Sequence, residues 1–158
     1  MSSVSSARRR LTIEVKGSLR DLRGQLALLN HRVSGELALR DVDLDCLDLI
    51  SRHGPLSPTA LARRAGLHPA TLTGILDRLQ RARWIVRERD PDAADRRAVT
   101  VRALPDRTRE LFALYRGMST AMDQVCAGYD TAELELIAGF LRRTTEAGRV
   151  AADELGTH

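Results

Sequence analysis

Aromatic residues are scarce in this chain, with two Phe, two Tyr and one Trp among 158 residues, which speaks against an aromatic-rich β-sandwich. Glycine and proline are also modest, at 11 and 5, so a collagen-like repeat and a disulfide miniprotein are poor fits. The two cysteines, Cys46 and Cys126, stand far apart in no metal-ligand spacing. The four histidines, His31, His53, His68 and His158, form no HExxH or Cys/His cluster, so no structural zinc and no cofactor is expected. No apolar run approaches the roughly 18 to 20 residues that cross a bilayer. The N-terminus lacks the apolar centre of a secretory signal, and the expected location is the cytoplasm without membrane contact. No motif pairs a nucleophile with a base or builds a phosphate loop, so an enzyme is the least supported class.

What is present is 43% hydrophobic and 29% charged, the proportions of one soluble domain. Lysine is nearly missing: Lys16 is the only one among 25 basic residues. The charge is unevenly placed. Residues 1–56 carry net +2, residues 57–102 carry 10 basic and 5 acidic groups for +5, and residues 103–158 carry −3. A positive centre between mixed and acidic flanks suits a nucleic-acid-binding module inside a larger scaffold, because phosphate attraction is the main sequence-independent part of such binding. A solvated surface produces the same count.

Residues 1–10, MSSVSSARRR, are small, polar and then basic, and read as a flexible basic arm. Residues 11–40 hold the strongest periodicity, with Val15, Leu19, Leu22, Leu26, Leu29 and Val33 at alternating steps of four and three. That narrow seam suits a helix packed on its own core or an intersubunit contact.

Residues 41–104 read as the binding domain. A helix over 41–52 carries Leu44, Leu47 and Ile50, with Asp41 or Asp43 to cap it or favour its positive end, and Gly54-Pro55 to stop it. Ser57-Pro58 then reads as cap and first turn of a short helix burying Leu61 and Ala62, with Gly66 supplying a left-handed turn. His68-Pro69 repeats the pattern with a weaker cap. The helix it opens runs to about residue 82, burying Leu72, Ile75, Leu76 and Leu79 and exposing Ala70, Thr71, Thr73, Gly74 and Arg78. Two short helices joined through Ala65-Gly66-Leu67 have the spacing of a helix-turn-helix. Its small and hydroxylated exposed face allows close approach to a groove, while a purely structural helical hairpin is the plainer reading.

Residues 84–89 and 98–102 read as short strands joined by Asp90-Pro91-Asp92-Ala93-Ala94-Asp95-Arg96-Arg97. Arg96 and Arg97 at the tip suit entry into a minor groove, with Asp95 placed to orient Arg97; a solvated loop is the alternative. Residues 105–158 read as helices. One starts at Leu104-Pro105-Asp106 with Leu111, Leu114, Tyr115, Met118, Met122 and Val125 inward, and a second opens at the capping box of Asp130 and Glu133. That second helix is marked by Leu134, Ile137, Leu141 and Leu155.

The fold class is therefore mainly α with a small β-hairpin wing: a winged helix-turn-helix domain flanked by N- and C-terminal dimerisation helices. Residues 47–104, with LDLISRHGPLSPTALARRAGLHPATLTGILDRLQ followed by WIVRERDPDAADRRAVTVRAL, resemble the MarR-type winged helix-turn-helix regulators. The wing triplet Asp95-Arg96-Arg97, the helix segment Asp77-Arg78-Leu79 and Arg87 carry the likeness. The resemblance implies a triangular homodimer, built by interleaving the first, fifth and sixth helices, that reads two halves of a pseudo-palindromic double-stranded operator as a repressor. It implies minor-groove entry by Arg97 with Asp95 as partner, phosphate or wing-supporting contacts from Arg78 and Arg87, and a major-groove face of Pro69, Ala70, Thr71, Thr73 and Gly74. Ser57, Thr59, His68 and Arg96 complete the candidate DNA-binding set. Three positions depart from the family pattern: Arg83 where glycine closes the recognition helix, Pro105 for a threonine cap, and His68 for a serine or threonine cap.

Many relatives release DNA on binding a small phenolic or aromatic-acid effector; His31, Ser34, His53, Tyr115 and Met118 are the candidates to line such a crevice here. A cysteine switch at Cys46 or Cys126 is the rival regulatory reading, although Asp45 and Asp48 beside Cys46 oppose its ionisation. A protein-interaction module that has lost DNA reading is the third.

Overall fold

The computed structural model describes residues 2–89, 92, 94, 95 and 98–156. Among them are six helices and one hairpin: α1 Ser2–Glu36, α2 Asp41–His53, α3 Pro58–Ala65, α4 Pro69–Arg81, β1 Ile85–Arg89, β2 Val99–Ala103, α5 Pro105–Cys126 and α6 Thr131–Gly156. The chain divides into two compact units, one running to Leu114 and the other from Tyr115. None of these helices is long and apolar enough to cross a membrane among the described residues.

The core of the first unit is built where apolar residues recur at helical spacing. Leu44, Leu47 and Ile50 of α2, Leu61 and Ala62 of α3, and Leu72, Ile75, Leu76 and Leu79 of α4 are all buried. Trp84 and Ile85 join them from the start of the wing, Val101 from β2 and Leu111 from α5. The strands pair antiparallel from Ile85 opposite Ala103 to Arg89 opposite Val99. Leu56 adds a short third edge, its N–H donating to the Val101 carbonyl at 3.1 Å and its carbonyl accepting from the Val101 N–H at 2.7 Å. Both hydrogen-bonding groups of that deeply buried valine are thereby satisfied.

Several sequence expectations are corrected here. Residues 2–10, expected as part of a flexible arm, are helical: α1 begins at Ser2. The side chains at 5–10 are exposed, so tertiary burial does not hold them; helix extends outward from the apolar-seamed nucleus, and extension costs far less than nucleation. Trp84 precedes the first strand instead of starting it, because its N–H closes the turn after α4 by donating to the Leu79 carbonyl at 2.9 Å; its side chain is buried with the Arg107 guanidinium 3.8 Å from the ring centroid. The second strand begins at Val99 and includes Ala103. Neither Asp41 nor Asp43 is the cap of α2, whose N-cap is Arg40 without a side-chain hydrogen bond; both stand in its first turn, at the positive end of the helix, as the other half of the expectation had it.

Of the residues expected inward on α5, only Leu111 is buried; Leu114, Met122 and Val125 are exposed, and α6 buries none of its side chains within the single chain. The capping box at its start is formed as expected, Asp130 N–H donating to Glu133 Oε2 and Glu133 N–H to Asp130 Oδ1, both at 2.9 Å.

Candidate nucleic-acid interface

The two helices of the helix-turn-helix are set by local chemistry at their ends. Ser57 Oγ accepts from the Ala60 N–H at 3.1 Å, and Pro58 occupies the first position of α3. Gly66, at φ 65°, turns the chain out of α3. At α4 the cap is His68, whose Nδ1 accepts from the Ala70 N–H at 3.2 Å. That acceptance requires an unprotonated Nδ1, so in the neutral ring the proton sits on Nε2. At the other end Arg83 takes φ 59°, the position where the sequence departs from glycine.

Pro69, Ala70, Thr71 and Thr73 are exposed on α4, and Gly74 is half-buried. Thr73 Oγ1 donates to the Pro69 carbonyl at 3.1 Å, keeping that hydroxyl on the first turn. Ser57 and Thr59 are exposed at the start of α3. The apolar stripe Leu72, Ile75, Leu76 and Leu79 is buried on the opposite side, so α4 has one face for the core and one for a partner.

Two ion pairs fix α4 sideways. Arg87 of β1 reaches Asp77 with Nη2 at 2.6 Å from Oδ1, tying the wing to the recognition helix. Arg78 donates Nε to Asp43 Oδ2 at 2.9 Å and Nη2 to Oδ1 at 2.7 Å, a two-pronged link to α2. Asp43 is only 2% exposed, and the sequence reading missed it. A signal was present, since Asp43 falls on the stripe of Leu47 and Ile50 at steps of four and three, and a carboxylate on a buried face needs a cation. Arg78 accordingly neutralises a buried charge instead of supporting the wing, and two of its nitrogens are already engaged.

Across the wing, Arg102 donates to Glu88 at 2.7 Å, and this hydrogen bond holds the Glu88 carboxyl below its ordinary range. Asp95 closes a turn by accepting the Ala98 N–H on its carbonyl at 3.0 Å. Arg96 and Arg97, with Asp95's expected role toward Arg97, lie outside the described residues, as does His158.

Of the candidate effector residues in the first unit, His31 and Ser34 come together and His53 lies apart from them. His31 and Ser34 meet Asp41 where α1 gives way to α2: His31 Nδ1 lies 3.0 Å from Asp41 Oδ2, and Ser34 Oγ donates to Oδ1. Hydrogen bonds from Ser34 and then His31 hold the Asp41 carboxyl below its usual range. His53 is exposed at the far end of α2, twelve residues or about 18 Å along that helix. Tyr115 and Met118 are half-buried positions of α5 in the second unit. A cavity of about 400 Å³ in the first unit is walled by Asn30, Asp45, Cys46, Asp48 and Arg52 together with the apolar Val42, Leu49, Ala65 and Leu67, with none of the five candidates among its lining. Arg52 is paired to Asp48 at 2.5 Å, and burial pushes the Asp45 carboxyl up.

Cys46 is fully buried, and burial, then Asp43 and Asp45, push its thiol up to about 11. A thiol so held is kept from the thiolate form that a redox switch uses, so burial and the neighbouring carboxylates both oppose that role for Cys46. Cys126 is a half-buried free thiol near the end of α5.

A capped helix pair, a hairpin braced against the second helix, and an outward face of small and hydroxylated residues define a winged helix-turn-helix DNA-binding domain. The sequence profile of the MarR family matches residues 39–99. The HTH-type transcriptional regulator YcgE of Bacillus subtilis (strain 168) is 31% identical over 124 residues, 78% of this chain and 79% of that one. A MarR family protein from Bacillus stearothermophilus shares the fold with a TM-score of 0.67 at 18% identity, over 89% of this chain and 97% of that one. The crystal structure of MarR matches with a TM-score of 0.56 at 25% identity, over 85% and 96%. The chain belongs to the MarR family of transcriptional regulators.

Proposed function

We propose that the protein is a homodimeric repressor that blocks transcription by reading a pseudo-palindromic operator through the exposed face of α4 and the wing. One observation carries this reading: Ala70, Thr71 and Thr73 stand exposed on a helix whose two ends and whose flank are each held by named contacts. Arg96 and Arg97 enter from sequence alone, as the pair that reaches the minor groove, and replacing Arg97 with Ala is expected to weaken operator binding by about 1 to 3 kcal/mol.

The dimer reading is supported by apolar surface that the single chain leaves uncovered. On α1, Val15, Leu22 and Leu26 are each more than 40% exposed, along the seam read from the sequence. Leu136, Phe140, Leu141, Val150 and Leu155 are exposed on α6. A cytoplasmic regulator with twofold symmetry places two α4 helices about one DNA turn apart. Relief by a small aromatic effector is the finer part of this reading, and it would have to act without His31 and Ser34 in their present places, since both are engaged by Asp41.

The test selects bound fragments from genomic DNA and then measures their affinity against random competitor. The expected result is a preference that is lost in Thr71→Glu, which sets a carboxylate at an exposed position facing phosphates. Equal affinity for selected and random DNA at moderate salt refutes operator reading. Sedimentation of Leu22→Asp as a monomer, with the wild type dimeric, is the expected companion result, and a monomeric wild type refutes the dimer.

A further inference from the structure

The buried carboxylate of Asp43 sits behind the recognition helix and holds a side chain from that helix's reading face. Thr71, Gly74 and Arg78 are spaced at i, i+3 and i+7 on α4 and so share one stripe. Arg78 folds back along it: its Nη1 lies 3.6 Å from where a Cβ on Gly74 would stand. Its Nε and Nη2 are engaged by Asp43, while its side chain keeps 34% exposure, against 3% for that of Asp43. Nη1 has no hydrogen-bond partner among the described residues.

We propose that Asp43 is a positioning residue for DNA reading: by gripping two nitrogens of Arg78 it fixes the guanidinium over Gly74 and turns the Nη1 edge into a preset donor for an oxygen or nitrogen acceptor on the duplex. The proposal rests on α4 being the DNA-reading helix. A free arginine loses rotamer freedom when it binds, whereas one already held by a planar two-point contact loses little, so the contact gains in strength and in geometric selectivity. Gly74 belongs to the same device. A side chain longer than Ala at that position would run into the guanidinium.

The test replaces Asp43 with Asn. The amide keeps the shape but sets an N–H2 against one N–H of the fork, donor facing donor, so the grip is broken. The variant is also one unit more positive than the wild type, and general electrostatics therefore makes it bind DNA more tightly. Positioning requires the opposite: about tenfold or greater loss of operator affinity per folded molecule, at a temperature where circular dichroism shows the native helix content. A salt dependence shallower by about one counterion accompanies it if the acceptor is a phosphate; a loss concentrated at one base pair of the operator identifies a base edge. Arg78→Gln alone and Asp43→Asn/Arg78→Gln are measured beside it. The double variant restores a neutral hydrogen-bonded pair and is expected to bind operator no worse than either single variant.

Wild-type strength binding by folded Asp43→Asn overturns the proposal. So does full affinity in the double variant, which decides the matter if Asp43→Asn alone does not fold. Failure of the wild type to prefer any operator sinks the DNA reading itself and is seen before any variant is compared.

Discussion

Three helices in the first unit end in the same hydrogen-bonded turn, and only one of them does so with glycine. After α1, the Leu39 N–H reaches the Ser34 carbonyl at 2.9 Å and the Ala38 N–H the Gly35 carbonyl at 3.2 Å. After α3, Leu67 reaches Ala62 at 2.9 Å and Gly66 reaches Arg63 at 3.3 Å; after α4, Trp84 reaches Leu79 at 2.9 Å and Arg83 reaches Gln80 at 3.0 Å. Each pair is the 6→1 and 5→2 pattern of a Schellman motif, which requires a left-handed residue at its hinge. The hinges are Ala38 at φ 52°, Gly66 at φ 65° and Arg83 at φ 59°. Two of them carry a Cβ in a conformation that costs an L-residue roughly 1 to 2 kcal/mol, of which glycine's greater freedom in the unfolded chain returns part.

Ala38→Gly and Arg83→Gly are therefore each expected to stabilise the fold by about 1 kcal/mol, or about 2–4 °C in Tm for a chain of this size. Gly66→Ala is expected to lose a similar amount. A Cβ there meets nothing within 4 Å, so its effect isolates backbone conformation from crowding. Arg83→Ala is the control, since it removes the guanidinium and keeps the strain, and it should leave stability nearly unchanged. Urea unfolding followed by circular dichroism at one fixed protein concentration measures all four, the fixed concentration removing any contribution from subunit association. If Arg83→Gly gains nothing over Arg83→Ala, left-handed strain at this hinge is not a term in the stability and the reasoning fails.

Gly54→Ala is expected to destabilise by about 1–3 kcal/mol, because its Cβ would stand 2.4 Å from the Ile50 carbonyl oxygen, a backbone atom of α2 that cannot swing aside; unfolding within a few tenths of wild type would contradict this. His68→Ala removes the acceptor for the Ala70 N–H and should cost about 1 kcal/mol, whereas His68→Ser replaces one acceptor with another and should cost nothing; equal losses in both would show that the imidazole is not acting as a cap. Cys46 supplies an alkaline signature. Its folded thiol is raised to about 11 from an ordinary 9.0, so above pH 9 the unfolded chain releases a proton the folded chain retains, and stability falls as pH rises from 9 toward 11. The loss is of order 2–3 kcal/mol by the upper limit, and Cys46→Ala should flatten the decline in that window; an unchanged slope would refute the assignment.

The parts of this fold that were legible in the sequence are those settled within a few residues. Ser57 and Pro58 announce α3, Gly66 ends it, and the spacing of Leu72, Ile75, Leu76 and Leu79 names the buried face of α4 before any coordinates. The Asp130 and Glu133 box is likewise a local exchange of hydrogen bonds. What escaped the reading joins distant segments. Asp43 and Arg78 are 35 residues apart, and nothing local distinguishes an aspartate that caps a helix from one that sits beneath it. Leu56 pairs with Val101 across the whole helix-turn-helix, a link that needs the tertiary fold to exist. Ala38 enters a left-handed turn because its motif demands one, not because alanine favours it. The apolar residues of α5 and α6 show the opposite failure: their periodicity is correctly read, yet periodicity says only that a face wants cover and not which molecule covers it.

The distribution of duties on α4 bears on how such a regulator changes its target. The helix is held at its start by His68, at its end by the Arg83 turn, along its core side by four apolar residues, and on its flanks by Asp43 through Arg78 and by Arg87 through Asp77. Ala70 and Thr71 carry none of that load, since both are exposed and neither side chain is among those holding the helix. Substitutions at 70 and 71 can thus alter which bases are met while leaving the position of the helix unchanged, and exposed positions of this kind shift stability by only about 0.5 kcal/mol. Substitutions at 77 or 87 remove the brace between helix and wing, and their effect on DNA reaches every contact at once. Operator preference and protein stability should therefore vary independently at the first set of positions and together at the second.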